Sequence, residues 1–138
     1  MALGFDLSPQ VMHKFWIMLS VYHGQIFNAS ELSTALMGSS TTVVCYLQIL
    51  QGTFMIGVLQ PWFENMKKRQ IKTPKLYFKD IGIFNYLALI SVLSDLTHNP
   101  KIGAIWEGFA IEQIITCLQI SEEDCYFGQH KIMQKLIC

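Results

Sequence analysis

The 138-residue chain carries ten basic and ten acidic side chains, unevenly placed. Lys67, Lys68, Arg69 and Lys72 crowd one short segment. Cations at that density can straddle phosphates, each neutralised phosphate adding salt-dependent affinity. Such contacts position a duplex without reading its bases. The same run serves equally as a solvated hairpin tip, or as a strip against an acidic protein surface. Upstream, Thr41, Thr42 and Gln48 offer polar groups able to reach a base edge, with no Arg or Lys among them. Acids gather later: Glu107, Glu112, Glu122, Glu123 and Asp124 lie between Ile105 and Cys125 without a basic residue.

Glu107 and Glu112 could serve as a metal or acid–base pair. Five residues on a helix rotate by about 140°, so the two carboxylates point to different faces and form no close dyad from that helix alone. Glu122-Glu123-Asp124 reads as a solvated acidic turn. His13, His23 and His98 have no cysteine or acid at catalytic spacing. His23, near a helix end, is placed where the dipole favours its cation. Cys45, Cys117, Cys125 and Cys138 form no CxxC pair and read as cytosolic thiols. No catalytic, cofactor-binding or metal-ligating set is expected, and the chain reads as non-enzymatic.

Hydrophobic residues make up 51% and charged residues 14%, against about 25% charged in ordinary soluble chains. Such a chain can fill a core, which excludes intrinsic disorder, and its low charge predicts apolar surface turned toward a partner. A net charge of zero excludes a protein coated in positive charge but allows a local basic element. The longest apolar run, Ile81 to Leu93, is too short for a bilayer. No membrane contact and a cytoplasmic location are expected.

These residues need elements to position them. Ser8-Pro9 starts a helix predicted to run to His23, with Phe15, Trp16 and Leu19 on one face. Gln25 to Phe27 is a short strand. Asn28 and Glu31 have capping-box spacing for a second helix. Ser40 caps a third from Thr41 to about Gln51, with Val43, Leu47 and Leu50 inward. Strands follow at Phe54–Gln60, where Gly57 marks a bulge, and at Lys75–Lys79, with the basic loop between them. Pro61-Trp62-Phe63 is expected to fold back as core. Helix, helix, helix, strand, loop, strand is the order of a winged helix. Asp80-Ile81-Gly82 then leads to another helical stretch through Ile90, and Thr97–Pro100 marks a boundary. A helix of roughly 17 residues comes next, with Ile105, Trp106, Phe109 and Ile115 as its apolar side and Glu107, Glu112 and Gln113 opposite. A strand near Cys125–Phe127 follows.

Several segments together resemble a known family: His23-Gly24-Gln25, Asn28 to Leu32, Thr41-Thr42-Val43, Gly52-Thr53-Phe54, Pro61 to Asn65, Lys67-Lys68-Arg69, Pro74 to Asp80 and Gly103 to Glu112. The sequence is similar to the C-terminal region (DUF4143) of prokaryotic AAA-type ATP-binding proteins. The resemblance covers Val11 to His130. It implies a mainly α fold with a small β-hairpin: a winged helix at 9–80, a helical connector at 81–100, and at 101–138 the truncated first helix and strand of a nuclease-like domain. Glu107 matches the position of a Mg²⁺-holding glutamate in that picture, but the later acids are missing, leaving it vestigial. No GxxxxGK[ST] run is present, so no P-loop ATPase is expected. The resemblance makes the chain a fragment of a longer protein or a degraded gene copy. Its expected role is an accessory or interaction module, alternatively a DNA-binding one. The partners implied are the ATPase domain of a longer homologue, double-stranded DNA, and a second copy through the Ile102–Leu118 helix.

Overall fold

The computed structural model describes residues 8–36, 38–62, 73–130 and 133–137. Phe63 and the cluster Lys67, Lys68, Arg69 and Lys72 lie outside the described residues.

Helix α1 (Pro9–Ser20) opens with proline at its first turn and buries Phe15 and Leu19. It stops short of the predicted end at His23, because residues 21–24 turn to meet the sheet. Strand β1 (Gln25–Ile26) leads to α2 (Ala29–Leu36), where the Asn28 side chain accepts the amides of Ser30 and Glu31 at 3.2 and 3.3 Å. Helix α3 (Ser40–Gly52) is capped by Ser39 rather than the expected Ser40. Ser39 Oγ accepts from the Thr42 amide at 3.1 Å, while Ser40 Oγ lies 3.3 Å from Ser33 Oγ on α2.

Strands β2 (Ile56–Pro61) and β3 (Lys75–Phe78) pair antiparallel. Their register runs unbroken through Gly57↔Tyr77, so the expected bulge at Gly57 is absent from this pair. The glycine has a different use: a Cβ there would stand 2.5 Å from Glu122 Oε1. Asp80 caps α4 (Ile81–Leu87) by accepting from the Ile83 amide at 3.1 Å. A short α5 (Leu93–Thr97) precedes the long α6 (Ile102–Leu118). A 3-10 turn at Glu122–Asp124 leads into β4 (Tyr126–His130) and β5 (Met133–Ile137).

The sheet has five strands in the order β1-β3-β2-β4-β5. β4 joins β2 in parallel at Gln60↔Tyr126 and Pro61↔Phe127, and β5 returns antiparallel along β4. The fold is therefore mixed α/β: helix predominates, as expected, but the sheet is larger than the expected small hairpin. The end of β2 beyond its pairing with β3 offers free ladder groups, and β4 takes them. Trp62, expected in the core, is 48% exposed; its amide donates to the Phe127 carbonyl and its ring meets Tyr126 edge-on at 5.3 Å.

Alternation along β3 divides the interior in two. Leu76 and Phe78 enter the larger core with Phe15, Leu19, Val43, Leu47, Ile56 and Phe84. Tyr77 enters a second, smaller one with Leu59, Ile111, Cys125 and Phe127. Each well-buried apolar side chain contributes about 1.5–3 kcal/mol. α1 to α4 line the first core together with Ile105 of α6, and the rest of α6 crosses the Tyr77 side of β3, where Ile111 enters the second core.

His23 sits where these parts meet and is fully buried. Its Nδ1 accepts the Phe78 amide at 3.1 Å, which puts the ring proton on Nε2. Nε2 donates to the Ala104 carbonyl at 3.1 Å. The ring lies 4.4 Å from that of Phe84. One neutral imidazole thus links β3 to the first turn of α6. Burial pushes its pKa down from 6.5 to about 4; the bond to Ala104 opposes the shift and the Lys101 charge adds to it. Two glycines allow α6 this close: Gly24, with φ +69°, faces Ala104, and a Cβ on Gly108 would stand 2.8 Å from His23 Cε1.

Two outcomes follow for denaturation experiments. The folded pKa of His23 is depressed, so the unfolded chain takes up its proton first. Stability is then full above about pH 6.5 and falls as pH drops toward 4. Between pH 7 and 4.5 the wild type should lose about 2 kcal/mol more than His23→Gln, measured by urea titration. Gly108→Ala should destabilise by about 1–3 kcal/mol through overpacking. Gly103→Ala, with nothing within 4 Å of its new Cβ, should stabilise by up to about 1 kcal/mol.

Candidate functional site

The face of β3 that meets α6 presents Lys75 and Tyr77, and Lys79 continues the alternation just past the strand's end. A strand places every second side chain on one face, so the three form a row. Lys75 is 1% exposed. Its Nζ lies 3.4 Å from Glu107 Oε1 and 3.3 Å from the Tyr77 hydroxyl, and within 6 Å of the Tyr77 and Phe127 ring centres. Burial, then the charge of Glu107 and a hydrogen bond to it, raises the Tyr77 phenol well above its usual range. Glu107 itself is partly open to solvent.

Lys79 anchors a second group. Its ammonium pairs with Glu122 and lies 4.0 Å from Glu112 Oε1. Glu122 Oε1 also accepts the Val58 amide at 3.1 Å, in the space that Gly57 leaves open. Burial raises the Glu112 carboxyl; Lys79 opposes that and Glu122 adds to it. At the other end of α6, Lys101 Nζ donates to the carbonyls of Ser20 and Val21, fastening the helix to the end of α1.

The two helix glutamates therefore reach different lysines, as their five-residue spacing requires. Glu107, expected as a vestigial metal-holding acid, instead faces a buried cation and a phenol. Among the described residues, no group of three or more His, Cys, Asp or Glu could hold a metal ion. The arrangement is a clamp: Lys75 of β3 and Lys79 just past its end hold two glutamates of one helix. His23, read from sequence as a cation at a helix end, is neutral because it is buried. The roles of Lys75, Lys79 and Glu122 were not anticipated. The alternating Lys-Leu-Tyr-Phe-Lys run was the available signal, since charged residues flanking Tyr77 on one face require buried partners.

Thr41, Thr42 and Gln48 are exposed on α3. Thr42 Oγ1 is held 2.9 Å from Ser39 Oγ at the cap. The four cations expected to accompany them, Lys67, Lys68, Arg69 and Lys72, fall outside the described residues. No helix among the described residues is long and apolar enough to cross a membrane.

The model of a family described as "Domain of unknown function (DUF8612)" matches residues 2–94. The chain belongs to that family. This overturns the resemblance to the DUF4143 region of AAA-type ATP-binding proteins, since DUF8612 is a different domain. The segments that carried the resemblance have structural duties here. Asn28 to Leu32 caps and starts α2, and Lys75 to Asp80 is a two-faced strand followed by a helix cap. Duties of that kind recur in unrelated chains. The DUF8612 chain is also similar to the "Uncharacterized protein Mb2031c" of Mycobacterium bovis and the "Uncharacterized protein Rv2008c" of Mycobacterium tuberculosis. Each is 40% identical over 116 residues, covering 84% of this chain and 26% of the relative. The chain thus spans about a quarter of the length of these relatives. No solved structure matches it.

The clamp gives a distinct mutational signature. Lys75→Ala should cost about 2–4 kcal/mol by leaving a cavity. Lys75→Met, which fills the same space without a charge, should cost under about 1.5 kcal/mol. Glu107→Gln, at a partly exposed and solvent-screened position, should cost about 1 kcal/mol. Urea titration at neutral pH checks all three.

Proposed function

We propose that the DUF8612 chain is a non-enzymatic interaction module whose first part, α1 to β3, is a winged helix. What supports the winged-helix reading is the order of elements. Three helices precede the β2–β3 hairpin, and β1 adds to the far edge of β3. The observation that carries the non-enzymatic reading is the use made of the charged side chains. Lys75, Lys79, Glu107, Glu112 and Glu122 meet one another between α6 and the sheet. A catalytic set must present its acid, base or nucleophile to a substrate. These five are committed to holding a helix.

Incubating plasmid DNA with the chain and Mg²⁺ or Mn²⁺ tests this reading. No cleavage is expected from wild type. Cleavage that disappears in Glu107→Gln would contradict the proposal.

A second reading is contact with double-stranded DNA. It is favoured by the exposure of Thr41, Thr42 and Gln48 on α3, and by the four cations, Lys67, Lys68, Arg69 and Lys72, that fall in sequence between β2 and β3. If those four each meet a phosphate, raising salt from about 50 to 200 mM should weaken binding about a hundredfold. Replacing all four by Ala should flatten that dependence. Fluorescence anisotropy with a labelled duplex reads both. No binding at the lower salt concentration would sink this reading.

A further inference from the structure

β4 and β5 pair antiparallel, with Tyr126 opposite Ile137 and Phe127 opposite Leu136. One further step of that register sets position 125 opposite position 138. Both positions are cysteine, with twelve residues between them in sequence; Cys138 itself lies outside the described residues. No CxxC-type spacing announces the pair, and only the strand register brings it to notice.

The backbone decides what kind of step this is. The Trp62 amide donates to the Phe127 carbonyl at 2.8 Å, so Phe127 turns its peptide groups toward β2. Peptide groups alternate sides along a strand. Those of Tyr126 and Gly128 therefore turn toward β5, and those of Cys125 turn away from it. The Cys125 amide accordingly donates to the Glu122 carbonyl at 3.1 Å. Cys125 thus stands at a non-hydrogen-bonded step of the β4–β5 ladder. Opposed Cα atoms at such a step are about 4.5 Å apart, and side chains are at their closest. Disulfides bridge Cα separations of about 4.4–6.8 Å. Cys125 is 2% exposed and packs in the second core beside Phe127 and Ile111. Its Sγ lies 3.7 Å from the Ser121 carbonyl. α6 covers this side through Ile111 and turns Trp106 and Phe109 outward, 67% and 43% exposed. The sequence expectation put those two rings inward and the glutamates toward water. Lys75 and Lys79 reverse it by drawing the carboxylates to the sheet.

We propose that Cys125 and Cys138 form a redox pair whose disulfide fastens β5 to the sheet. β5 is the outermost strand and is hydrogen-bonded to β4 alone. A cross-link closing this hairpin removes freedom from every state in which β5 has left the sheet. Glutathione disulfide is the oxidant class that suits the step. One cysteine thiolate attacks it, forming a mixed disulfide and expelling a glutathione thiolate; the second cysteine thiolate then displaces the other glutathione. The two protein thiols lose two electrons and two protons, and two glutathione thiols form. Cys45 on α3 and Cys117 on α6 have no strand partner to oppose them. The inference stands on the β4–β5 register and is independent of the interaction-module reading.

The 138-residue chain, equilibrated in glutathione–glutathione disulfide buffers and then alkylated, tests it. Trypsin cuts after Lys131 and Lys135, so the two cysteines fall in separate peptides unless a disulfide joins them. Oxidation should yield that joined peptide, leave Cys45 and Cys117 alkylated, and reverse with dithiothreitol. It should also slow hydrogen exchange at the Tyr126 and Gly128 amides at least about tenfold. Cys138→Ser should abolish both effects, as should Cys125→Ala, while Cys45→Ser with Cys117→Ser should keep both. Glutathione adducts on single cysteines without the joined peptide would overturn the proposal. A bond from Cys125 or Cys138 to Cys45 or Cys117 would overturn it equally. So would a Cys125–Cys138 bond that leaves the exchange rates unmoved.

Discussion

The structure depends on β3 being satisfied on both sides at once. Four residues, Lys75 to Phe78, lie between β1 and β2 and are all buried. Leu76 and Phe78 need apolar neighbours and find them in the α1–α4 core. Lys75 needs a carboxylate in a space nearly closed to water, because an isolated buried ammonium is too costly to keep charged. Glu107 answers it from α6. His23 adds the polar link across the strand, joining the Phe78 amide to the Ala104 carbonyl. A strand with one apolar and one polar buried face needs both covers. The helical unit on one side and α6 on the other are therefore parts of one arrangement.

Once β3 has drawn the glutamates of α6 inward, the rest of that helix has little choice. Its remaining residues are mostly apolar, and those not under the sheet face solvent. The same electrostatic demand that fixes α6 thus creates the largest aromatic surface of its outward side. It also pairs these carboxylates with Lys75 and Lys79.

Much of the α-helical organisation was legible in the sequence, because it rests on local rules. Pro9, the Asn28 cap, the inward row Val43, Leu47 and Leu50, and the full extent of Ile102–Leu118 all follow from capping and 3.6-residue periodicity. The sheet was less legible. β4 and β5 pair through contacts distant in sequence, and nothing near Tyr126 announces that it will lie beside Gln60. The orientation of α6 was misread for a related reason. Its pattern is apolar on nearly every side, so periodicity could not decide which stripe was inner. The decision came from Lys75 and Lys79, some thirty residues away in the chain. Gly57 was likewise read as a bulge when its role is to admit Glu122. The family resemblance failed because its motifs are caps and strand patterns, which report architecture rather than descent.

The orientation of α6 on the sheet is the claim on which the rest stands, and proton NMR tests it directly. A nuclear Overhauser effect between the Gly108 α-protons and the His23 ring is expected, since a Cβ at Gly108 would come within 2.9 Å of both Cε1 and Nε2. Effects linking the Trp106 indole to Tyr77 or Phe127, with none between Gly108 and His23, would mean that α6 lies with its aromatic side on the sheet, and would contradict the account.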